Sequence, residues 1–126
     1  MGLSNKDFKN AFKNRLYKLM LALIRFIEDL DQGLVSKRLG DQLLRSGTSV
    51  IANYVEGLAG SSKRDFAKYL NISLKSANES KLWLSLLKDS AKGNEKIIKK
   101  LITEYDEISK ILASSLITMR NPQHNF

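Results

Sequence analysis

The stretch Gln42–Gly57, QLLRSGTSVIANYVEG, followed by LAGSS and then by Lys63–Leu87, KRDFAKYLNISLKSANESKLWLSLL, decides the fold. It reads as two helices joined by a tight turn of glycine and serine. In the first helix Arg45, Ser49, Asn53 and Glu56 recur at helical spacing, so all four groups project from one face. In the second, Phe66, Leu70, Ser73, Ala77, Ser80, Leu84 and Leu87 form a stripe with small residues at its middle, which lets a neighbouring helix approach closely. Gly47, among Ser46, Thr48, Ser49 and Ala52, costs a helix roughly 1 kcal/mol relative to alanine, and close backbone approach is the expected compensation.

Outward from this hairpin the same periodicity continues. Phe8, Phe12, Leu16, Leu19, Leu23, Phe26 and Leu30 mark a helix over about 6–30, with Met20, Leu21, Ala22, Ile24 and Ile27 widening its apolar face. Gly33 in DQGLVSKR reads as a stop, which places the second helix at about 39–56. Ser61 or Ser62 can cap the third, about 62–90, with Asp65 in its first turn. Gly93 and Asn94 then end one helix and cap the next, about 94–119, along Ile98, Leu101, Tyr105, Ile108, Leu112, Ser115 and Met119, widened by Ile97, Ile102, Ile111 and Leu116. Short links favour antiparallel neighbours, so the expectation is an all-α, up-down-up-down four-helix bundle filling 1–126 as one domain. No segment alternates at period two as a strand would, and RNPQHNF reads as a frayed tail. The breadth of the apolar faces on the first and fourth helices predicts a subunit contact, hence a homo-oligomer.

Composition narrows the chemistry. The 126 residues carry 21 Lys and Arg against 13 Asp and Glu, a net charge of +8, which points to a polyanionic partner over mere solubility. There is no cysteine, so disulfides, thiolate catalysis and cysteine-based zinc sites are excluded, and the cytoplasm is the expected compartment. LMLALIRFI (Leu19–Ile27) is too short, and interrupted by Arg25, to span a bilayer, so no membrane association is expected. The one histidine, His124, cannot supply the two Glu-x-x-His pairs of a di-iron bundle, so neither metal nor other cofactor is expected. GLAGSSKR (Gly57–Arg64) lacks the spacing and the preceding strand of a phosphate-binding loop.

For Arg45, Ser49, Asn53 and Glu56, a catalytic reading fails because no histidine or lysine lies at helical reach to activate Ser49. A structural role is favoured over ligand binding, with Arg45, Asn53 and Glu56 holding the hairpin or a subunit boundary: in an antiparallel hairpin Asn53 falls opposite Asp65 and Glu56 opposite Ser62, where both can bind free N–H groups at the start of the third helix. Glu79 shares a face with Ile72 and Trp83, and its partner cannot be read from spacing. Trp83 and the tyrosines 17, 54, 69 and 105 at helical spacing favour core or interface over base stacking. Arg38, the stripe Arg64, Lys68 and Lys75, and the cluster Lys96, Lys99 and Lys100 are the candidate phosphate contacts, chosen for their clustering.

Arg45, Ser49, Val50, Asn53 and Glu56, then Asp65–Phe66, then Glu79 with Trp83–Leu84, resemble the signature of the four helix bundle protein family, also called 23S ribosomal RNA intervening-sequence protein. EYDEISKILASSLITMR resembles the family's end, so the similarity covers nearly the whole chain past the first helix. The chain departs from the pattern at Ile51, where many members have proline, and near Lys81, where many have a second acidic residue. The resemblance implies a ring-like homopentamer of four-helix bundles. It also implies kinship to the accessory variability determinant of diversity-generating retroelements, a basic pentamer that binds nucleic acid and a reverse transcriptase. Most members have no established function, and lying in a ribosomal RNA insert describes where some genes sit. The expectation is therefore a non-enzymatic protein that binds RNA or DNA with little sequence preference. Its rival is a scaffold whose basic surface meets an acidic protein.

Overall fold

The computed structural model describes residues 5–60 and 62–121. They form four helices: α1 (Asn5–Glu28), α2 (Leu34–Leu58), α3 (Lys63–Asp89) and α4 (Glu95–Met119). No strand occurs among the described residues. No helix among them is long and apolar enough to cross a membrane. His124, Pro122 and Ser61 lie outside the described residues.

Two ends match the expected caps. Ser62 accepts the Asp65 N–H at 3.0 Å to start α3, and Asn94 accepts the Ile97 N–H at 3.0 Å to start α4. Gly93 before that cap has φ +78, the left-handed region that glycine enters without strain. A Cβ there would also press on the Phe26 ring.

The start of α2 differs from expectation by five residues: it begins at Leu34, not at 39. The cause is Asp31, whose carboxylate accepts the Gly33 N–H and the Ser36 hydroxyl, each at 2.8 Å. That Asx-type turn finishes the reversal by Gly33, and Ser36, which looks like loop in the sequence, becomes a buried residue of the first turn. Helix α1 correspondingly stops at Glu28 and α2 runs on to Leu58.

Neighbouring helices meet through specific pairs. Phe12 of α1 packs edge-on to Tyr54 of α2, ring centroids 5.0 Å apart, and Leu30 lies against Gly40. Between them a Cβ on Gly47 would overlap Leu23 and crowd the Tyr105 hydroxyl and Met20 sulfur. Asn78 of α3 pairs with Ser109 of α4, and Lys81 reaches Asp106 at 2.9 Å. Helices α1 and α4 are joined by Arg15, which grips Glu104 with Nε at 2.7 Å and Nη2 at 2.8 Å and approaches Glu107 at 3.3 Å. The guanidinium holds the Glu104 carboxyl below its usual range.

The α2–α3 seam is closed by serines. Ser73 donates to the Val50 carbonyl at 2.7 Å, the Ser46 and Ser80 hydroxyls meet at 2.8 Å, and Ser76 donates to the Ser49 hydroxyl at 2.7 Å. Ser80 also donates to the Ser76 carbonyl, and the buried Tyr105 of α4 brings a third helix to the seam, its hydroxyl lying beside Gly47. Each of these hydroxyls is short enough to let the backbones close in and still finds a partner, so burial leaves no donor unpaired.

Asn53 corrects the hairpin reading. Its Nδ2 donates to the Ser49 carbonyl and the Ser49 hydroxyl, both at 2.9 Å and within its own helix, while the Asp65 N–H is taken by Ser62. Glu56 is exposed and, among the described residues, caps nothing. The nearer partner wins in each case: a serine side chain at the helix start reaches its own N3 amide without crossing the seam.

Two substitutions test this packing. Gly47→Val should lower thermal stability by about 1–3 kcal/mol through overpacking against Leu23, read as a fall in the denaturant midpoint. Asn53→Ala should cost about 1 kcal/mol, because the groups it leaves behind are half-buried and Ser49 keeps its bond to Ser76.

Candidate nucleic-acid interface

The seven basic candidates are all on the surface, and the fold divides them between its two ends. Leu30 against Gly40, and Phe26 against Gly93, gather the end of α1, the start of α2 and the α3–α4 turn at one end. Arg38, Lys96, Lys99 and Lys100 belong to that end. Phe66 against Gly57, and Lys63 Nζ donating to the Asn121 carbonyl at 2.8 Å, define the other. Arg64 and Lys68 belong there, and Lys75 lies partway along α3.

Their partners differ. Lys99 pairs with Glu95 one turn earlier at 3.1 Å, an exposed i,i+4 pair of small energy. The Lys68 ammonium lies 5.5 Å from the Tyr69 ring centroid, within cation–π range. Arg38, Arg64, Lys75, Lys96 and Lys100 have no carboxylate partner among the described residues. Arg64 and Lys96 stand in the first turns of α3 and α4, where a cation faces the positive end of the helix dipole.

Along α3, Arg64, Lys68 and Lys75 share one outward line, and the same line continues into Leu82, 52% exposed, and Leu86. The outer face of this helix is thus basic in its first half, and in its second it carries Leu82 and Leu86 beside the exposed Asn78, Glu79 and Asp89.

The polar set on the α2–α3 hairpin has a separate geometry. Of Arg45, Ser49, Asn53 and Glu56, Ser49 reaches across the seam, through Ser76, whereas the Arg45 and Glu56 side chains are exposed and make no hydrogen bond or ion pair among the described residues. Glu79, also exposed, accepts from the Trp83 indole at 3.2 Å one turn on. The bonds that hold the hairpin come mainly from Ser46, Ser73, Ser76 and Ser80, which in the sequence look like small spacers. Their hydroxyls carry no periodic signature distinct from alanine, so only the structure shows them bonded. Arg15 is likewise unmarked in the sequence, since nothing local to it announces Glu104, 89 positions away.

Among the described residues no group of three or more His, Asp or Glu could hold a metal ion. What remains is a polar and basic surface on a helical frame, and comparison with known proteins bears on that frame. A solved structure from Bacteroides thetaiotaomicron, described as a protein with unknown function from the S23 ribosomal protein family, is 30% identical. Its TM-score is 0.76, and the match covers 86% of this chain and 97% of that one. No curated protein matches. The model of the family described as 23S rRNA-intervening sequence protein matches residues 9–114, a span that takes in all of α2 and α3 with the Arg45, Asn53, Glu56, Glu79 and Trp83 set. The chain therefore belongs to the 23S rRNA-intervening sequence protein family.

Proposed function

We propose that the chain is a non-enzymatic cytoplasmic accessory protein, an up-down-up-down bundle repeated in a homo-oligomer that holds nucleic acid by its phosphates with little regard to sequence. The observation that carries this reading is the placement of the cations. Five of the seven candidates are exposed without a carboxylate partner among the described residues, and two of those stand where a positive charge opposes its own helix. Solubility alone would be served equally by lysines at helix C-termini, where they stabilise. A phosphate backbone accounts for cations at the starts of helices, because the amide N–H groups and the side chains there attract the same anion.

Assembly is supported by apolar surface that one chain leaves open. On α1, Tyr17 is 59% exposed with Leu21 one turn on, and on α2 Leu44 and Val55 are exposed about three turns apart. Ile72, Leu82 and Leu86 are exposed on α3. These lie on α2 and α3 as much as on α1, and on α4 Ile97 and Ile117 are exposed while Leu116 is buried and Ile102 and Ile111 are half-buried. Distinct apolar faces on one chain suit a head-to-tail contact, which closes into a ring when repeated. Five is the subunit number that the family resemblance implies. A ring multiplies the charge of each chain into a concentrated positive field, and a nucleic-acid enzyme such as a reverse transcriptase is the partner consistent with that resemblance.

A second reading has its own observation: the α3 line that runs from Arg64, Lys68 and Lys75 into Leu82 and Leu86 suits an acidic protein surface with apolar residues beside its charges.

Two measurements test the proposal. Light scattering should give a mass several-fold above the 14.3 kDa of one chain; a value near 14.3 kDa refutes assembly. DNA and RNA oligonucleotides titrated across a salt series should lose affinity steeply with salt and show little sequence preference. Replacing Lys96, Lys99 and Lys100 with Gln should flatten the logarithmic salt slope by about 0.7–0.9 for each phosphate that the variant no longer neutralises. Absence of binding at low salt removes this reading and leaves the scaffold.

A further inference from the structure

Helix α2 packs its glycines and serines inward and leaves an outer face open. Leu44, Arg45, Thr48, Ala52, Val55 and Glu56 recur three and four positions apart on that face, and all six are exposed. The chemistry along it reads the same from either end, with the sign of the charge exchanged. Leu44 has an apolar counterpart in Val55, the cation Arg45 has an anion in Glu56, and the small Thr48 answers the small Ala52. The midpoint of each pair falls at Val50 or within half a residue of it.

Within one chain these groups have little to do. Arg45 and Glu56 make no hydrogen bond or ion pair among the described residues. They stand 11 positions apart, about 16 Å along the helix axis, and do not reach each other. Thr48 directs its hydroxyl to the Leu44 and Arg45 carbonyls of its own helix, at 2.9 and 3.0 Å, and so needs no outside partner. The charges of α2 also oppose the helix that bears them. Its first turn holds Lys37 and no acid, and its last turn holds Glu56 and no base, the reverse of what the helix dipole favours. Lys37, Arg38 and Arg45 outweigh Asp41 in the first half, and Glu56 is the one charge of the second. An antiparallel copy of the same helix lays its acidic half beside that basic half.

The geometry points to this face as a two-fold contact between two copies of the chain, α2 against α2 in antiparallel register about Val50. Each Arg45 meets the second copy's Glu56, each Leu44 packs on its Val55, and Thr48 and Ala52 at the centre let the two backbones approach. A two-fold contact uses one patch on both subunits, so the patch must complement itself, and this one does in charge, polarity and size. The charges also select the register, because a parallel pairing sets Arg45 against Arg45 and Glu56 against Glu56. The inference rests on the reading that the chain self-associates. It adds to the head-to-tail contact, for which Tyr17 and Leu21 on α1 and Leu82 and Leu86 on α3 remain, and a chain that makes both joins two rings.

The test is sedimentation velocity of the full chain over a concentration series. Arg45→Glu and Glu56→Arg each place two like-charge contacts in the pair, and each should weaken this association about tenfold or more, halving the mass at limiting concentration. The chain that carries both substitutions should recover the parent mass, because its pairs re-form with the signs exchanged. Both side chains are exposed and unbonded within the chain, so circular dichroism should show unchanged helix content in all three variants. The chain has no cysteine of its own, so Ala52→Cys, beside the two-fold axis, supplies a single thiol that bismaleimidoethane should link to its own copy. Lys110→Cys, exposed on α4, should stay unlinked. A parent mass of 14.3 kDa overturns this inference together with the assembly reading. A larger mass that neither charge variant lowers overturns the two-fold contact alone and leaves the face to a different partner. So does a loss that the double variant does not repair, or an Ala52→Cys chain that fails to link.

Discussion

The close approach of α2 to α3 is the constraint on which the remainder of the molecule depends. Glycine and serine at the contact, Gly57 against Phe66 and Ser73 against the Val50 carbonyl, let two backbones meet where larger side chains would hold them apart. Proximity alone would bury polar atoms at a cost, and the serines remove that cost by bonding across the gap. The pair becomes a platform onto which α4 docks through Ser109 on Asn78 and Tyr105 beside Gly47, and α1 through Leu23 against Gly47. Everything on the outer surface, including the basic line of α3, takes its position from that platform.

Much of this is legible in the residues. Helix periodicity locates α3 and α4 to within a residue, because their caps, Ser62 and Asn94, act through their own side chains on the amides just ahead. The start of α2 is not legible for the converse reason: its N-cap, Gly33, has no side chain, and Asp31 shapes the turn from two residues upstream. The hairpin's polar stripe is legible as a face but not as a set of bonds. Spacing tells which residues share a side of one helix and is silent on what stands across the seam, so Asn53 reads as reaching outward when its bonds run back to Ser49.

The surface cations are legible as clusters, while their division between two ends requires the helix pairing. A cleft beside the start of α1 has no sequence signal at all. Phe8, Tyr54, Ile111 and Met119 each fit the apolar periodicity of a core, yet all four line one cleft of about 370 Å³.

The thin contact between α1 and α4 bears on motion as well as on shape. Helix α1 meets α4 sparsely, and a half-buried bidentate clasp from Arg15 to Glu104 fastens the middle of their contact. The seam between α2 and α3 is by contrast close-packed, serine-stitched and continuous. Local opening draws on the regions with least buried contact. Helix α1 is therefore the element that detaches first, swinging on its turn at Asp31 while the other three stay folded, and amide hydrogens in α2 and α3 are the last to trade with solvent. A chain built this way has a hinge at one edge and a fixed keel beneath it.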